Sequence, residues 1–158
     1  MSVSAQVADA LAREFALPDV GTTTTIVVRL LTAAILGGLL GLERERKGRA
    51  AGLKTHILVS IGSALFVMAP LLSGIDPGDV TRVMQGIVSG IGFLGAGAII
   101  RMDRGARVEG LTTAAGIWMP AAIGMAAGMG MEILALATTL VALAVVNLVP
   151  RLFPAPAV

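Results

Sequence analysis

Most side chains able to hold or exchange charge fall in three stretches. "LERERKGRAAGLKTHILVS" carries Glu43, Arg44, Lys54, Thr55 and His56; "DPGDVTRVMQG" carries Asp76, Asp79, Arg82 and Gln85; "EGLTTAAG" carries Thr112 and Thr113. Arg29 stands apart, inside a run of threonines and apolar residues. The chemistry open to such a set is ion pairing and hard-cation binding. Mg²⁺ is usually held by one or two carboxylates plus retained waters, so Asp76, Asp79 and Glu43 are the candidates for metal contact. Covalent catalysis lacks its groups: neither G-x-S-x-G nor H-E-x-x-H occurs. One histidine and no cysteine exclude a histidine-rich or thiolate centre within one chain. The set reads as non-enzymatic, with no cofactor required and Mg²⁺ the ion its carboxylates suit.

What must position these residues is a membrane bundle. The 158-residue chain is 56% hydrophobic and 14% charged, against roughly 25% charged in soluble domains, and its mean hydropathy is +0.89. A bilayer core needs about 20 apolar residues per helix. Five segments supply them, at about 23–42, 55–73, 82–100, 111–128 and 131–149, separated by charged or glycine-bearing breaks. The expected fold class is all-α integral membrane, a bundle of about five transmembrane helices. Residues 1–22 form an extracytoplasmic segment in which Val3, Val7, Leu11 and Phe15, spaced by four, predict a short amphipathic helix on the membrane surface. Residues 23–150 make the transmembrane domain and 151–158 a short cytoplasmic tail. The first residues lack a basic start and a continuous apolar core, so no signal peptide is expected.

Basic residues set the orientation. Arg44, Arg46, Lys47, Arg49, Lys54, Arg101, Arg104, Arg107 and Arg151 fall on one side of this bundle, and Arg13 and Arg82 on the other. Nine against two places the N-terminus outside and the C-terminus in the cytoplasm. The formal net charge is only +2, and its clustering between apolar runs argues against a nucleic-acid partner and for the lipid bilayer.

The stretch "GIVSGIGFLGAGAIIR" contains G-x-G-x-x-G at Gly90, Gly92 and Gly95. A dinucleotide turn requires a strand before the first glycine and a βαβ unit around it, whereas here an apolar run continues straight through. Helix packing accounts for the glycines better. At 100° per residue Gly86, Gly90 and Gly97 share one stripe, with Ser89, Gly92 and Ala96 beside it. Small stripes let helix backbones approach closely inside lipid. The spacing recurs as Gly37/Gly41 and Gly124/Gly128. Because Gly92, Gly95 and Gly97 exceed the needs of one contact face, a locally loosened helix stands as the alternative to a plain packed one.

Charge at membrane depth is costly and marks a functional or structural site. Arg29 lies ~9 Å inside its span, a distance an arginine side chain can snorkel. The sharper reading pairs it with Asp76, Asp79 or Glu132, with Gln85 joining the network. Glu43 follows Arg29 by 14 residues, near the same helix face. Thr112 or Thr113 is expected to cap a helix, His56 to be a hydrogen-bonded interface residue, and Pro120 to kink its span by freeing the carbonyl of Gly116.

With these residues laid out, the chain resembles the MgtC/SapB family of bacterial inner-membrane proteins. The resemblance rests on "RLLTAAILGGLLGLERERKGRAAGLKTHILVSIGSALF", "VSGIGFLGAGAIIR" and "VEGLTTAAGIWMPAAIGMAAG", in that order, across about residues 29 to 130. It implies a five-helix membrane domain with an outward N-terminus, linked to magnesium homeostasis, to survival at low magnesium and to virulence in some pathogens. The family's best-known member looks like a regulator that binds membrane partners, the proton-translocating ATP synthase among them, more than a magnesium carrier. The motif positions carried over are Arg29, Glu43, Arg44, Gly52, Lys54, Thr55, His56, Gly90, Gly92, Gly95, Gly97, Gly110, Thr112 and Thr113. Relatives of the virulence-factor type add a soluble C-terminal domain, so functions lodged there are not transferred to a chain that stops at Val158. Met119 and Pro120 stand where relatives often have small or cysteine residues. The expected function is a non-enzymatic inner-membrane regulator, a homo-oligomer with a dimer favoured. The competing function is a small Mg²⁺ or other cation transporter or channel.

Overall fold

The computed structural model describes residues 2–100 and 110–152. Among them every regular element is helical: α1 (Val3–Glu14), α2 (Val20–Arg46), α3 (Leu53–Leu72), α4 (Pro77–Ile100), α5 (Leu111–Gly128) and α6 (Glu132–Leu152). Five of these, α2 to α6, are long and apolar enough to cross a membrane. The basic residues Arg101, Arg104 and Arg107 lie outside the described residues.

Local chemistry sets the helix ends. Asp19 caps α2, its Oδ1 accepting from the Thr22 amide at 3.0 Å and its Oδ2 from the Thr22 hydroxyl at 2.6 Å. These bonds hold the Asp19 carboxyl below its ordinary value, with the Thr22 hydroxyl as the largest cause. Thr24 and Thr25 donate back to the carbonyls of Val20 and Gly21, which keeps their hydroxyls satisfied in an apolar wall. At its far end α2 runs through Glu43–Arg46, beyond the expected limit of 42, because these residues are good helix formers and Glu43 pairs with Lys47 one turn on. The stop of α5 is a glycine in the left-handed region: Gly130 has φ +79 and donates to Ala127, while Met131 donates to Ala126 at 2.9 Å. This pattern satisfies the last carbonyls and favours glycine at the turning position. The ends of α2 and α3 use the same pair of bonds, at Gly48 and Gly74.

Helix α5 packs against all four other spans, and the closest backbone approaches are made to α3. Gly37 and Gly41 of α2 lie on one flank, where an added Cβ at Gly37 would stand 2.6 Å from the Ser60 Cβ and one at Gly41 would stand 2.8 Å from Leu53 Cα. Gly124 and Gly128 of α5 lie on the other, at 2.9 Å from Ser60 Cα and 2.8 Å from Ala64 Cα. Gly37 and Gly124 thus both close on Ser60, with Gly41 set against Leu53 and His56 and Gly128 against Ala64. The main core fills in around this contact with Ala33, Leu36, Leu40, Ala64, Ile123, Ala127 and Ala135. Helix α5 is the most enclosed span and α4 and α6 the least. Phe93 and Ile133 are 81% and 80% exposed. Apolar surface on that scale suits lipid as the solvent.

Helix α4 differs from the expectation of a stripe packed within the bundle. It is one uninterrupted helix, so no loosened turn occurs at Gly92–Gly97. A Cβ added at Gly86, Gly90, Gly92 or Gly97 would meet nothing within 4 Å, and only Gly95 contacts a neighbour, Ala114 of α5. Pro120 lies inside α5 and is buried. Neither threonine caps it: the cap is Gly110, with φ +93, and a side chain there would collide with the Ala98 carbonyl at 2.9 Å.

Candidate functional site

The candidate polar residues separate to the two ends of the bundle. At one end Arg29, half-buried on α2, donates from Nη1 to the Gly128 carbonyl at 3.0 Å. That carbonyl belongs to the last turn of α5, where the helix dipole favours a cation. The guanidinium also covers Gly130, where a Cβ would stand 3.0 Å from its Cζ. The expected pairing with Asp76, Asp79 or Glu132 does not form. Asp76 instead accepts from the Gly78 amide at 2.7 Å as a turn-forming residue, and Asp79 lies 3.9 Å from Arg82 on its own helix, both exposed. Gln85 and Glu132 make no side-chain hydrogen bond among the described residues, and Gln85 is exposed. Arg29 finds its acceptor in a helix terminus, a partner with no residue type to betray it.

The other end is denser. Arg44 is 4% exposed and donates from Nη2 to the Thr112 carbonyl in the first turn of α5 at 3.0 Å. Gly116 leaves room for it: a Cβ there would lie 3.3 Å from Nη2. The Arg44 Nε is buried and has no hydrogen-bond partner. His56, 1% exposed, donates from Nδ1 to the Gly52 carbonyl at 2.9 Å, so in the neutral ring Nε2 carries the lone pair. Glu43 is paired with Lys47. Thr113 is buried, whereas Lys54, Thr55 and Thr112 are exposed. Thr55 and Thr113 line a small apolar recess with Gly97 and Phe93.

Two members of this cluster escape a reading by residue type. Lys47 donates from Nζ to the Val146 carbonyl at 2.9 Å and to Asn147 Oδ1 at 3.1 Å. Pro150 lies inside α6 and lacks the N–H that the carbonyl four residues earlier would accept. That carbonyl is the one on Val146, so Lys47 fills the gap left by Pro150. Glu45 accepts from the Leu53 amide at 2.8 Å and so caps α3 in place of Gly52, which has no side chain to do it. Gly52 is small because a Cβ there would lie 2.7 Å from Glu45 Oε2. The i,i+4 spacing of Glu43 and Lys47 is the sequence signal for that pair, and no such spacing marks Glu45 as a cap.

Between α2, α5 and α6 the Arg44 end opens into a cavity of about 500 Å³. Arg44, His56 and Thr112 supply its polar end; Leu40, Met119, Val141 and Val145 supply much of its apolar wall. Among the described residues no group of three histidine, cysteine or carboxylate side chains is placed to hold a metal ion. Glu43, Asp76 and Asp79 therefore stand as separate carboxylates, divided between the ends.

The MgtC family matches residues 30–153. The chain is similar to YhiD of Escherichia coli K12, 45% identical over 119 residues, which is 69% of this chain and 53% of that protein. It is similar to MgtC of Salmonella typhimurium LT2, 46% identical over 117 residues, 74% of this chain and 49% of that protein. SrpB of Synechococcus elongatus is 45% identical over 114 residues, 65% of this chain and 63% of its own length. The chain thus spans about half the length of the YhiD and MgtC proteins. No solved structure matches it.

Proposed function

This chain belongs to the MgtC family of multi-pass membrane proteins, and from that premise we propose that it is a non-enzymatic regulator in magnesium and stress physiology. In this reading it works in the bacterial inner membrane, with its N-terminus outside, through helix contacts with a second copy or another membrane protein. The ATP synthase suggested by the family resemblance is the first partner to test. The observation that carries the proposal is the contrast between glycine faces. Gly37, Gly41, Gly124 and Gly128 are all buried at contacts with α3, while Gly86, Gly90 and Gly97 of α4 have open space beside them. Inside lipid a small-residue stripe gains its value from a second helix, and the single chain leaves that place on α4 empty.

The test is reconstitution. Purified protein in liposomes loaded with a Mg²⁺-sensitive dye is expected to pass no Mg²⁺, while Gly90→Leu weakens assembly and the growth phenotype at low magnesium. Robust magnesium-dependent flux from the protein without a partner would falsify the regulator reading.

A second reading, a small cation transporter, is favoured by the name of YhiD, which proposes magnesium transport for that protein. Charge weighs against it. The guanidinium of Arg44 lines the polar end of the cavity between α2, α5 and α6. At 4 Å and an effective dielectric of 20, two unit charges repel by about 4 kcal/mol. A divalent ion would feel about twice that.

A further inference from the structure

We infer that the cavity between α2, α5 and α6 holds an acyl chain of a net-anionic phospholipid, whose phosphate oxygen rests on the Arg44 guanidinium. The volume of about 500 Å³ lies within the roughly 300–1,000 Å³ typical of ligand pockets. The polarity of the lining is graded along its length. Arg44, His56 and Thr112 gather at one end, and beyond them come Ala115, Met119, Ala137 and Val141, with Thr138 the one hydroxyl on that wall. Such a lining matches an amphiphile with one charged terminus. A free anion leaves the apolar length unused, and a hydrocarbon leaves the guanidinium bare.

Charge decides the sign of the headgroup. Lys47 is committed to Glu43, and no carboxylate among the described residues pairs with Arg44. Its guanidinium is almost wholly buried, with one hydrogen bond and an unpartnered Nε, and the residue lines the polar end of the cavity. A buried cation left in that state costs free energy unless an anion joins it. Phosphate oxygens fit the planar N–H fork. The route of entry is lateral. Val141 and Val145 line the cavity and are exposed on α6, so the cavity opens toward the face that meets bilayer. A basic pocket between transmembrane helices, at headgroup level, is a recurrent lipid site.

The test uses the full chain in maltoside micelles, offered equimolar dioleoyl-phosphatidylglycerol and dioleoyl-phosphatidylcholine and read by native mass spectrometry. Thermal unfolding is followed in parallel with either lipid or with inorganic phosphate. The expected result is one retained phosphatidylglycerol at about tenfold preference, the ratio that 1.4 kcal/mol supplies, and a raised Tm with that lipid alone. The double variant Ala115→Phe/Ala137→Phe fills the apolar length without touching Arg44 and is expected to lose both the adduct and the Tm shift. Arg44→Gln is expected to bind the two lipids equally. If Arg44→Gln does not fold, the competition in the unaltered chain decides. Equal retention of both lipids by that chain overturns the proposal, as does a phosphatidylglycerol preference that survives in the filled cavity. A Tm shift from inorganic phosphate as large as that from the lipid overturns it too.

Discussion

Arg44 on α2 donates to the backbone carbonyl of Thr112 on α5 at 3.0 Å, and Arg29, at the other end of the same helix, donates to Gly128 at the other end of α5. The two helices run antiparallel, pinned at both ends by cations that take carbonyl oxygens as partners. Position along the helix, more than charge pairing, fixes what these arginines do.

Arg29→Met should therefore destabilise the bundle by about 1–2 kcal/mol, through loss of a charge-assisted bond at a helix C-terminus. Arg29→Lys should recover part of that. Denaturant unfolding in mixed micelles measures both; a lysine variant no better than methionine would remove charge from the account.

Glycine substitutions should split by location. Gly37→Ala forces a Cβ within 2.6 Å of Ser60 Cβ and is expected to cost about 1–3 kcal/mol as overpacking. Gly90→Ala meets nothing within 4 Å, so the isolated chain should gain up to about 1 kcal/mol from helix propensity. Equal effects at the two positions would contradict the packing described.

Lys47 and Pro150 should be thermodynamically coupled. Lys47→Met strands the Val146 carbonyl, whereas Pro150→Ala restores the missing N–H. The double variant is expected to be less damaged than Lys47→Met by about 0.5–1.5 kcal/mol, the worth of one hydrogen bond. A double-mutant cycle with no coupling would show that the lysine acts elsewhere.

The α2 cap should respond to acid. Because folding lowers the Asp19 carboxyl below 3.8, the cap's contribution is complete above that value and is lost as pH falls through the lowered one. Hydrogen exchange at the Thr22 amide should accelerate, relative to a neighbouring uncapped amide, across that acid window. Asp19→Asn should flatten the response.

Much of the fold is legible in sequence because it rests on local regularities. Hydropathy marks five spans, and the four-residue spacing of Gly37/Gly41 and Gly124/Gly128 marks real helix contacts. The same spacing on α4 reads identically, yet that face is open, because what a stripe faces is decided by the other helices. Partners of Arg29 and Lys47 were hidden for a related reason. Both acceptors are main-chain oxygens, and one is freed by a proline more than a hundred positions along the chain. The carboxylates Asp76 and Asp79 looked suited to Arg29 by depth alone, but depth says nothing about direction around the helix, and their oxygens serve their own chain segment.

The glycine contacts along α3, from Leu53 to Ala64, have a mechanical consequence. With glycine backbones of α2 and α5 seated against it, α3 can neither slide nor roll without opening those contacts, and close-packed interiors do not deform gradually. These three helices turn as a single spindle. Any rocking falls to α4 and α6, the least enclosed spans, whose outer surfaces can tilt while the axle stays still.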